Sequence, residues 1–153
     1  MKRVFAWLTV CLLALALAGC GTASPAQTVP TEADKTDDNY RVFYEIFVGS
    51  FADSDGDGTG DLNGILRHLD YLNDGNLLSD TSLGVQGLWL TPIFASPSYH
   101  KYDAADYYRI DPDFGTEDDL RALLDACHAR NVKVILDLVI NHTARNHEWF
   151  QSF

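Results

Sequence analysis

Four acidic residues are crowded into one short stretch of the chain, residues 53–61, which reads DSDGDGTGD. The acids fall at positions 1, 3, 5 and 9 of this stretch, with Gly58 at position 6 and the backbone carbonyl of Thr59 at position 7. These are ligand positions of an EF-hand loop, and hard oxygen ligands suit Ca²⁺ or Mg²⁺. Position 12 is Gly64 instead of the bidentate Glu, so the motif is not a complete EF-hand. The spacing predicts a cation site, with a solvated acidic turn as the alternative; the proposed ligands are Asp53, Asp55, Asp57, Thr59 and Asp61.

Two further clusters of polar and aromatic residues lie later in the chain. Residues 95–115 form a long segment with five aromatic side chains, which is too aromatic for a disordered linker and typical of a functional loop. Asp137, Asn141 and His142 lie at the end of another apolar run. A zinc site at Asn141 and His142 would need further His or Cys ligands, and His147 alone does not complete the set.

The elements that position these clusters follow from the apolar pattern. Apolar runs predict strands at residues 41–51, 85–94 and 132–140. Helical spacing predicts a helix within residues 62–74 and a second helix that begins after Thr116 and buries Cys127. Alternating strands and helices predict an α/β fold with a parallel sheet, in which functional residues gather at the carboxyl ends of the strands. All three clusters are therefore expected at the same end of one sheet.

The N-terminal residues have the features of a secretory signal. Residues 1–19 combine a basic start with a short apolar run, as in a signal peptide. The sequence LAGC that ends at Cys20 resembles the bacterial lipobox, which implies export and acyl chains on Cys20 that anchor the protein to a membrane without a spanning helix. Residues 20–39 are rich in Pro, Thr, Ser and Asp and predict a flexible tether. The folded part is expected at residues 40–153.

Composition excludes one class of partner. The net charge is −11, which argues against nucleic-acid binding because that function needs a basic surface. Of the three cysteines only Cys127 falls in the predicted folded part, so no disulfide is expected within it.

Three segments carry a resemblance to a known family. YEIFVGSFADSDGDGTGDLNGI, GLWLTPIFASPSYHKYDAADYYRIDPDFGT and VILDLVINHT resemble the start of an alpha-amylase superfamily glycoside hydrolase. The resemblance implies the N-terminal portion, about three β/α units, of a (β/α)8 TIM barrel, a fold that takes about 250 residues. In the family the catalytic Asp, Glu and Asp lie on strands four, five and seven. The sequence is therefore expected to be an N-terminal fragment of a retaining α-glucan or malto-oligosaccharide hydrolase, inactive alone.

The resemblance also implies roles for single residues. Tyr102 and Asp103 match a Gly-Tyr-Asp segment at the sugar site, with Lys101 in place of the usual Gly, and Tyr102 is expected to stack on a glucose ring. His142 is expected to hydrogen-bond a hydroxyl of the same glucose. Asp137 is expected to support the site by pairing with an Arg beyond this sequence, and Asn141 to ligate calcium. The alternative for Tyr102 is that it packs in the core, but Tyr107 and Tyr108 are better candidates for core aromatics.

Other functions remain compatible with the sequence. A non-catalytic, lipid-anchored glycan-binding barrel and a transglycosylase of the same superfamily would share these segments. A free-standing calcium-binding module is disfavoured by Gly64 at position 12.

Overall fold

The computed structural model describes residues 41–153 of the protein. The predicted signal peptide, the tether, the lipidation site at Cys20 and the first residue of the predicted domain lie outside the described residues. In the described part the strands are β1 (Phe43–Ile46), β2 (Gly87–Leu90), β3 (Phe94–Ala95), β4 (Asp106–Ile110) and β5 (Lys133–Leu136). The helices are α1 (Val48–Phe51), α2 (Leu62–Arg67), α3 (Leu69–Leu72), α4 (Glu117–Ala129) and α5 (Glu148–Gln151).

Three strands form the parallel sheet that the apolar pattern predicts. The strand order is β1-β2-β5, and both pairings are parallel. Ile46 pairs with Leu90, which pairs with Leu136 at the carboxyl ends of the three strands. α2 and α3 lie between β1 and β2 in the chain, and α4 lies between β2 and β5. The strands of the parallel sheet and the helices between them therefore follow the predicted order, whereas α1, β3, β4 and α5 were not predicted.

The two faces of this sheet have different surroundings. Ile46, Leu88 and Leu90 are at most 1% exposed and belong to one buried cluster with helix residues such as Ile65 and Leu123. The opposite face carries the paired residues Glu45, Trp89 and Ile135, and it is open: Trp89 is 41% and Ile135 46% exposed. Alternate strand residues of a (β/α)-barrel point to the helices and to the barrel interior, so the open face has the position of a barrel interior.

The first predicted strand is shorter than expected. It ends at Ile46, and residues 48–51 form the single turn α1. The acidic loop then folds back onto that turn, because the N–H of Gly60 donates to the carbonyl of Gly49 (2.8 Å) and the N–H of Asp61 donates to that of Ala52 (3.0 Å). A Cβ on Gly64 would lie 1.9 Å from the Ala52 carbonyl oxygen, so a glycine is needed where α2 crosses this turn. An apolar run alone does not distinguish a strand from a buried helical turn.

The long segment after the second strand is also more regular than predicted. Residues 95–115 were expected to be loop, but β3 and β4 pair there as a short antiparallel hairpin with Phe94 opposite Ile110. The third predicted strand likewise ends early, at Leu136, although the Asp137 N–H still donates to the Leu90 carbonyl (2.9 Å).

Helix α4 agrees with its prediction. Thr116 is its N-cap, and Thr116 and Asp119 form a reciprocal capping box. Leu123 and Cys127 are fully buried, and burial raises the pKa of the Cys127 thiol to about 11. The expectation that Cys127 is a core residue is confirmed. Within residues 41–153, none of the helices has the length and hydropathy needed to cross a membrane.

Candidate functional site

The three polar clusters follow the carboxyl ends of three adjacent parallel strands. β1 leads into the acidic loop, β2 leads into the aromatic segment, and β5 leads to Asp137. Backbone hydrogen bonds continue beyond the strand ends, with the Thr91 N–H donating to the Ile46 carbonyl at 3.0 Å. The clusters therefore share one edge of the sheet, which is where (β/α)-barrel proteins carry their active sites.

Tyr102 and Asp137 are in direct contact although they are 35 residues apart. The Tyr102 hydroxyl donates to Asp137 Oδ2 at 2.9 Å. This hydrogen bond, together with burial and the negative charges of Asp137 and Glu45, raises the pKa of Tyr102. The phenol therefore stays neutral, and the residue as a whole remains 39% exposed. Asp137 thus supports Tyr102 itself, a contact that the sequence did not predict.

Asp103 is held by the serines that follow β3. The hydroxyls of Ser96 and Ser98 both donate to Asp103 Oδ1, the first at 2.8 Å. Burial alone would raise the pKa of Asp103, but the hydrogen bonds from Ser98 and Ser96 outweigh it and lower the pKa. Asp103 is therefore a fixed, ionised carboxylate directly after Tyr102.

His142 and Asn141 lie on an exposed segment after β5. The Asn141 side-chain amide is 3.4 Å from His142 Nδ1. The Tyr107 hydroxyl is 2.6 Å from the Val139 carbonyl and 2.9 Å from the His142 carbonyl, so it holds the backbone of this segment. Both side chains border a pocket of about 550 Å³. Tyr107 thus holds the segment that carries Asn141 and His142, and Tyr102 and Asp103 do not line this pocket.

The two tyrosines proposed as core aromatics differ in their environments. Tyr107 is partly buried and packs on Phe94, His147 and Trp149. Tyr108 is 84% exposed, so the expectation that it fills the core is wrong. Adjacent residues of β4 point to opposite sides of the strand, and of these two side chains only that of Tyr107 packs on other aromatic rings.

Three acidic side chains of the loop after β1 converge. One carboxylate oxygen from each of Asp53, Asp55 and Asp61 lies within 4.8 Å of the other two. Asp57 is outside this group, and its Oδ1 accepts from the Thr59 N–H at 2.7 Å. In the part of the chain that the structure describes, this is the one group of three or more His, Cys, Asp or Glu side chains placed to hold a metal ion, and it includes neither His142 nor His147.

Backbone N–H groups organise these carboxylates. The N–H groups of Gly56 and Gly58 donate to Asp53 and lower its pKa. Both glycines have positive φ, which lets the loop turn around that carboxylate. Burial would raise the pKa of Asp61, but the N–H groups of Ser54 and Gly64 outweigh it and lower the pKa. The three converging carboxylates offer hard oxygen atoms, which fit the chemistry of Ca²⁺.

A buried lysine directly precedes Tyr102 and Asp103, at the position where the family resemblance leads one to expect a glycine. Lys101 is 4% exposed and forms ion pairs with Asp111 and Asp113. Its role could not be predicted from local spacing, because both partners lie at least ten residues further along the chain. The one local signal is a lysine followed by the acidic segment DPD.

Parallel β/α units with polar and aromatic side chains at the carboxyl ends of the strands define the chain as part of a (β/α)-barrel protein. A family model described as the catalytic domain of alpha amylase matches residues 45–153. The chain belongs to the alpha-amylase family, and its fold is the N-terminal portion of that barrel.

Similar proteins include both amylases and a trehalose synthase. The chain is 52% identical over 111 residues to Alpha-amylase 3 of Dictyoglomus thermophilum, and this match covers 72% of this chain and 21% of that protein. It is 46% identical over 128 residues to the trehalose synthase/amylase TreS of Mycolicibacterium smegmatis, and the match covers 83% of this chain and 20% of that protein. The crystal structure of an alpha-amylase from H. orenii superposes with a TM-score of 0.72 at 59% sequence identity, and the match covers 72% of this chain and 23% of that chain. The chain thus spans about a fifth of the length of the relatives it matches.

Proposed function

We propose that this chain forms part of a retaining glycoside hydrolase that acts on α-glucans or malto-oligosaccharides. The observation that carries the proposal is the Tyr102–Asp137 hydrogen bond at the carboxyl edge of the sheet, in a chain of the alpha-amylase family. It leaves a neutral, half-exposed aromatic ring beside the ionised Asp103 carboxylate. A flat aromatic face suits the apolar face of a sugar ring, and a carboxylate accepts hydrogen bonds from hydroxyls.

The residues of this chain would bind and orient one glucose unit. In the proposal Tyr102 stacks on the ring, Asp103 and His142 hydrogen-bond its hydroxyls, and Asp137 holds Tyr102 in place. Double displacement needs two carboxylates, one as nucleophile and one as acid/base. The family assigns those carboxylates to later barrel strands, so the proposed contribution of this chain is to position the sugar.

Calcium is the proposed structural ion. Asp53, Asp55 and Asp61 would hold it in the loop after β1, with Mg²⁺ as the smaller alternative. A divalent cation there would offset two of the three negative charges and tie α1 to α2. The EF-hand spacing also predicts the Thr59 carbonyl and Asp57 as ligands of this ion; because Asp57 lies outside the converging group, we propose the three-carboxylate set without it. The family resemblance separately predicts Asn141 as a calcium ligand.

We also propose export and attachment to a bacterial membrane through acyl chains on Cys20. The support is the LAGC sequence after the apolar run of the N-terminal residues. A Cys20→Ser variant should lose radiolabelled palmitate and leave the membrane fraction. Unchanged palmitate incorporation in that variant would contradict lipid attachment.

The test of the enzymatic proposal is hydrolysis of maltotriose by the intact protein, which here means the full-length enzyme of which this chain is proposed to be a part. Release of reducing sugar is expected from wild type, and His142→Ala should lower kcat by tenfold or more, because hydroxyl contacts in glycosidases strengthen in the transition state. Tyr102→Ala should affect both kcat and KM. Binding of maltotriose without turnover would instead identify a glycan-binding barrel, and wild-type kcat and kcat/KM in His142→Ala would remove that residue from the pocket.

A second candidate activity is transglycosylation. It is favoured by the 46% identity to a trehalose synthase/amylase. Product analysis on maltose separates the two activities, because a hydrolase yields glucose and a transglycosylase yields new disaccharides or longer products.

A further inference from the structure

Lys101 occupies a conformation that its residue type does not favour. Its φ is 62°, in the left-handed region, where a Cβ is crowded by the backbone. It is also 4% exposed, although lysine is almost never fully buried unless it is paired. A glycine would adopt this backbone freely, so some interaction of the lysine side chain offsets the strain.

Two carboxylates hold the buried ammonium group. Lys101 Nζ is 2.9 Å from Asp111 Oδ2 and 3.0 Å from Asp113 Oδ2, and it lies 5.2 Å from the centre of the Phe114 ring. Burial alone would lower the pKa of Lys101, but the hydrogen bonds to Asp111 and Asp113 outweigh it and raise the pKa. The lysine is therefore charged, and a buried charge of this kind is stable only with its partners in place.

Hydrogen bonds connect this ion pair to the proposed sugar site. Asp111 Oδ2, which contacts Lys101, also accepts from the Ser96 N–H at 2.9 Å. The Ser96 hydroxyl in turn donates to Asp103 at 2.8 Å. A continuous path therefore runs from Lys101 through Asp111 and Ser96 to Asp103, and the backbone joins Lys101 directly to Tyr102.

We propose that Lys101 is a positioning residue, whose ion pairs with Asp111 and Asp113 fix the turn that presents Tyr102 and Asp103 to the sugar. The inference rests on the proposed function, since it assigns a sugar-binding role to those two residues. It differs from a purely conformational role, because a glycine would satisfy the positive φ but could not anchor the turn to β4 and the residues after it. The effect of the backbone conformation and the effect of the ion pairs can therefore be separated by substitution.

The informative variant is Lys101→Gly, which keeps the backbone conformation and removes the ion pairs. The matched control is Arg130→Met, which removes the more exposed ion pair between Arg130 and Asp70. Arg130 is the C-cap of α4 and Asp70 lies in the first turn of α3, so this pair precedes the strands whose carboxyl ends carry the proposed site. Both variants are made in the intact protein, and the rate is measured on maltotriose well below the lowest melting temperature. We expect Lys101→Gly to lower kcat/KM at least tenfold and Arg130→Met to change it less than twofold. A value of kcat/KM for Lys101→Gly within twofold of wild type would overturn the proposal.

Non-additivity distinguishes positioning from general destabilisation. If Lys101 acts through Asp103, the double variant Lys101→Gly/Asp103→Asn should lose little more activity than the larger single loss, whereas independent effects would multiply. Multiplying losses would overturn the proposed path.

A readout without substrate separates this inference from the function on which it rests. Hydrogen exchange of the backbone amides at residues 98–103 should be at least tenfold faster in Lys101→Gly than in wild type or Arg130→Met, while the β2 amides stay unchanged. An inactive wild type with this exchange pattern would contradict the proposed function and leave the positioning role supported. Unchanged exchange at residues 98–103 would overturn the positioning role whether or not the protein is active.

Discussion

Asp55 and Asp57 lie two residues apart in the same loop, yet the structure gives them different surroundings. Each accepts a hydrogen bond from the backbone N–H two residues further on, 3.1 Å from Asp57 to Asp55 and 2.7 Å from Thr59 to Asp57. Both therefore stabilise turns of the loop. Only the Asp55 carboxylate also converges with those of Asp53 and Asp61. The alternation of acids serves two purposes, turn formation and the grouping of charge.

This difference predicts unequal effects of two conservative substitutions. Asn keeps the turn-forming acceptor and removes the charge, so Asp55→Asn and Asp57→Asn form a matched pair. Saturating Ca²⁺ should raise the melting temperature of the wild-type protein, with a gain of about 2.7 kcal/mol at a hundredfold excess over Kd. Asp55→Asn should lose most of that gain and Asp57→Asn should retain most of it. Calorimetry with calcium and with chelator measures both effects.

Two results would contradict this assignment. A wild-type protein that melts at the same temperature with calcium and with chelator would exclude a structural ion in the loop. Loss of the calcium effect in Asp57→Asn, equal to that in Asp55→Asn, would return Asp57 to the ligand set that the EF-hand spacing predicts.

At the scale of elements, helix α4 shows how local sequence and tertiary packing act together. Thr116 and Asp119 satisfy each other's backbone N–H groups at its N-terminus. Asp119 also accepts from the Asn63 side chain of α2 at 2.8 Å. Hydrogen bonds from Thr116 and Asn63 lower the pKa of Asp119. The capping box therefore links two of the helices that cover the sheet.

Thr116→Ala should lower the free energy of unfolding by about 1 kcal/mol, because it removes the N-cap acceptor. Thr116→Ser keeps the hydroxyl and should remain close to wild type. Urea unfolding of the intact protein measures both variants. Equal losses in the two variants would show that packing of the threonine methyl group, rather than capping, is responsible.

At the scale of the whole molecule, the acidic residues determine how stability depends on pH. In the described part, five aspartates have a lowered pKa, namely Asp53, Asp61, Asp74, Asp103 and Asp119. A carboxyl group whose pKa is lower in the folded state binds fewer protons there than in the unfolded state. Its contribution is present above the unfolded pKa, about 3.9, and is lost as the pH falls through the folded value.

We therefore expect the melting temperature to fall steadily as the pH is lowered from about 5 to 3. Lys101 acts in the opposite direction: its pKa is raised, so its contribution is present at neutral pH and is lost only as the pH rises through the folded value, above 10.5. Circular dichroism melts across both ranges provide the measurement. A melting temperature that rises on acidification would show that relief of repulsion at a net charge of −11 outweighs these carboxylates.

Several features could be predicted from the sequence because they depend on neighbours along the chain. The order of β/α units follows from apolar runs and helical spacing, and the N-cap at Thr116 and the buried Cys127 follow from local pattern. The acidic loop was recognisable for the same reason, since its possible ligands all lie within nine residues. Family resemblance then predicted site roles for Tyr102, His142 and Asp137, and those roles stay predictions.

The tertiary structure decided what those residues touch. Tyr102 contacts Asp137 across 35 residues, and Lys101 reaches Asp111 and Asp113 across the β3–β4 hairpin, which the sequence predicted as loop. Such pairs depend on the path of the chain between them, and periodicity over a few residues carries no information about that path. For the same reason the sequence could not show that a lysine in the position of a family glycine would be buried and charged. That outcome required two carboxylates from another segment to arrive within 3.0 Å of its nitrogen.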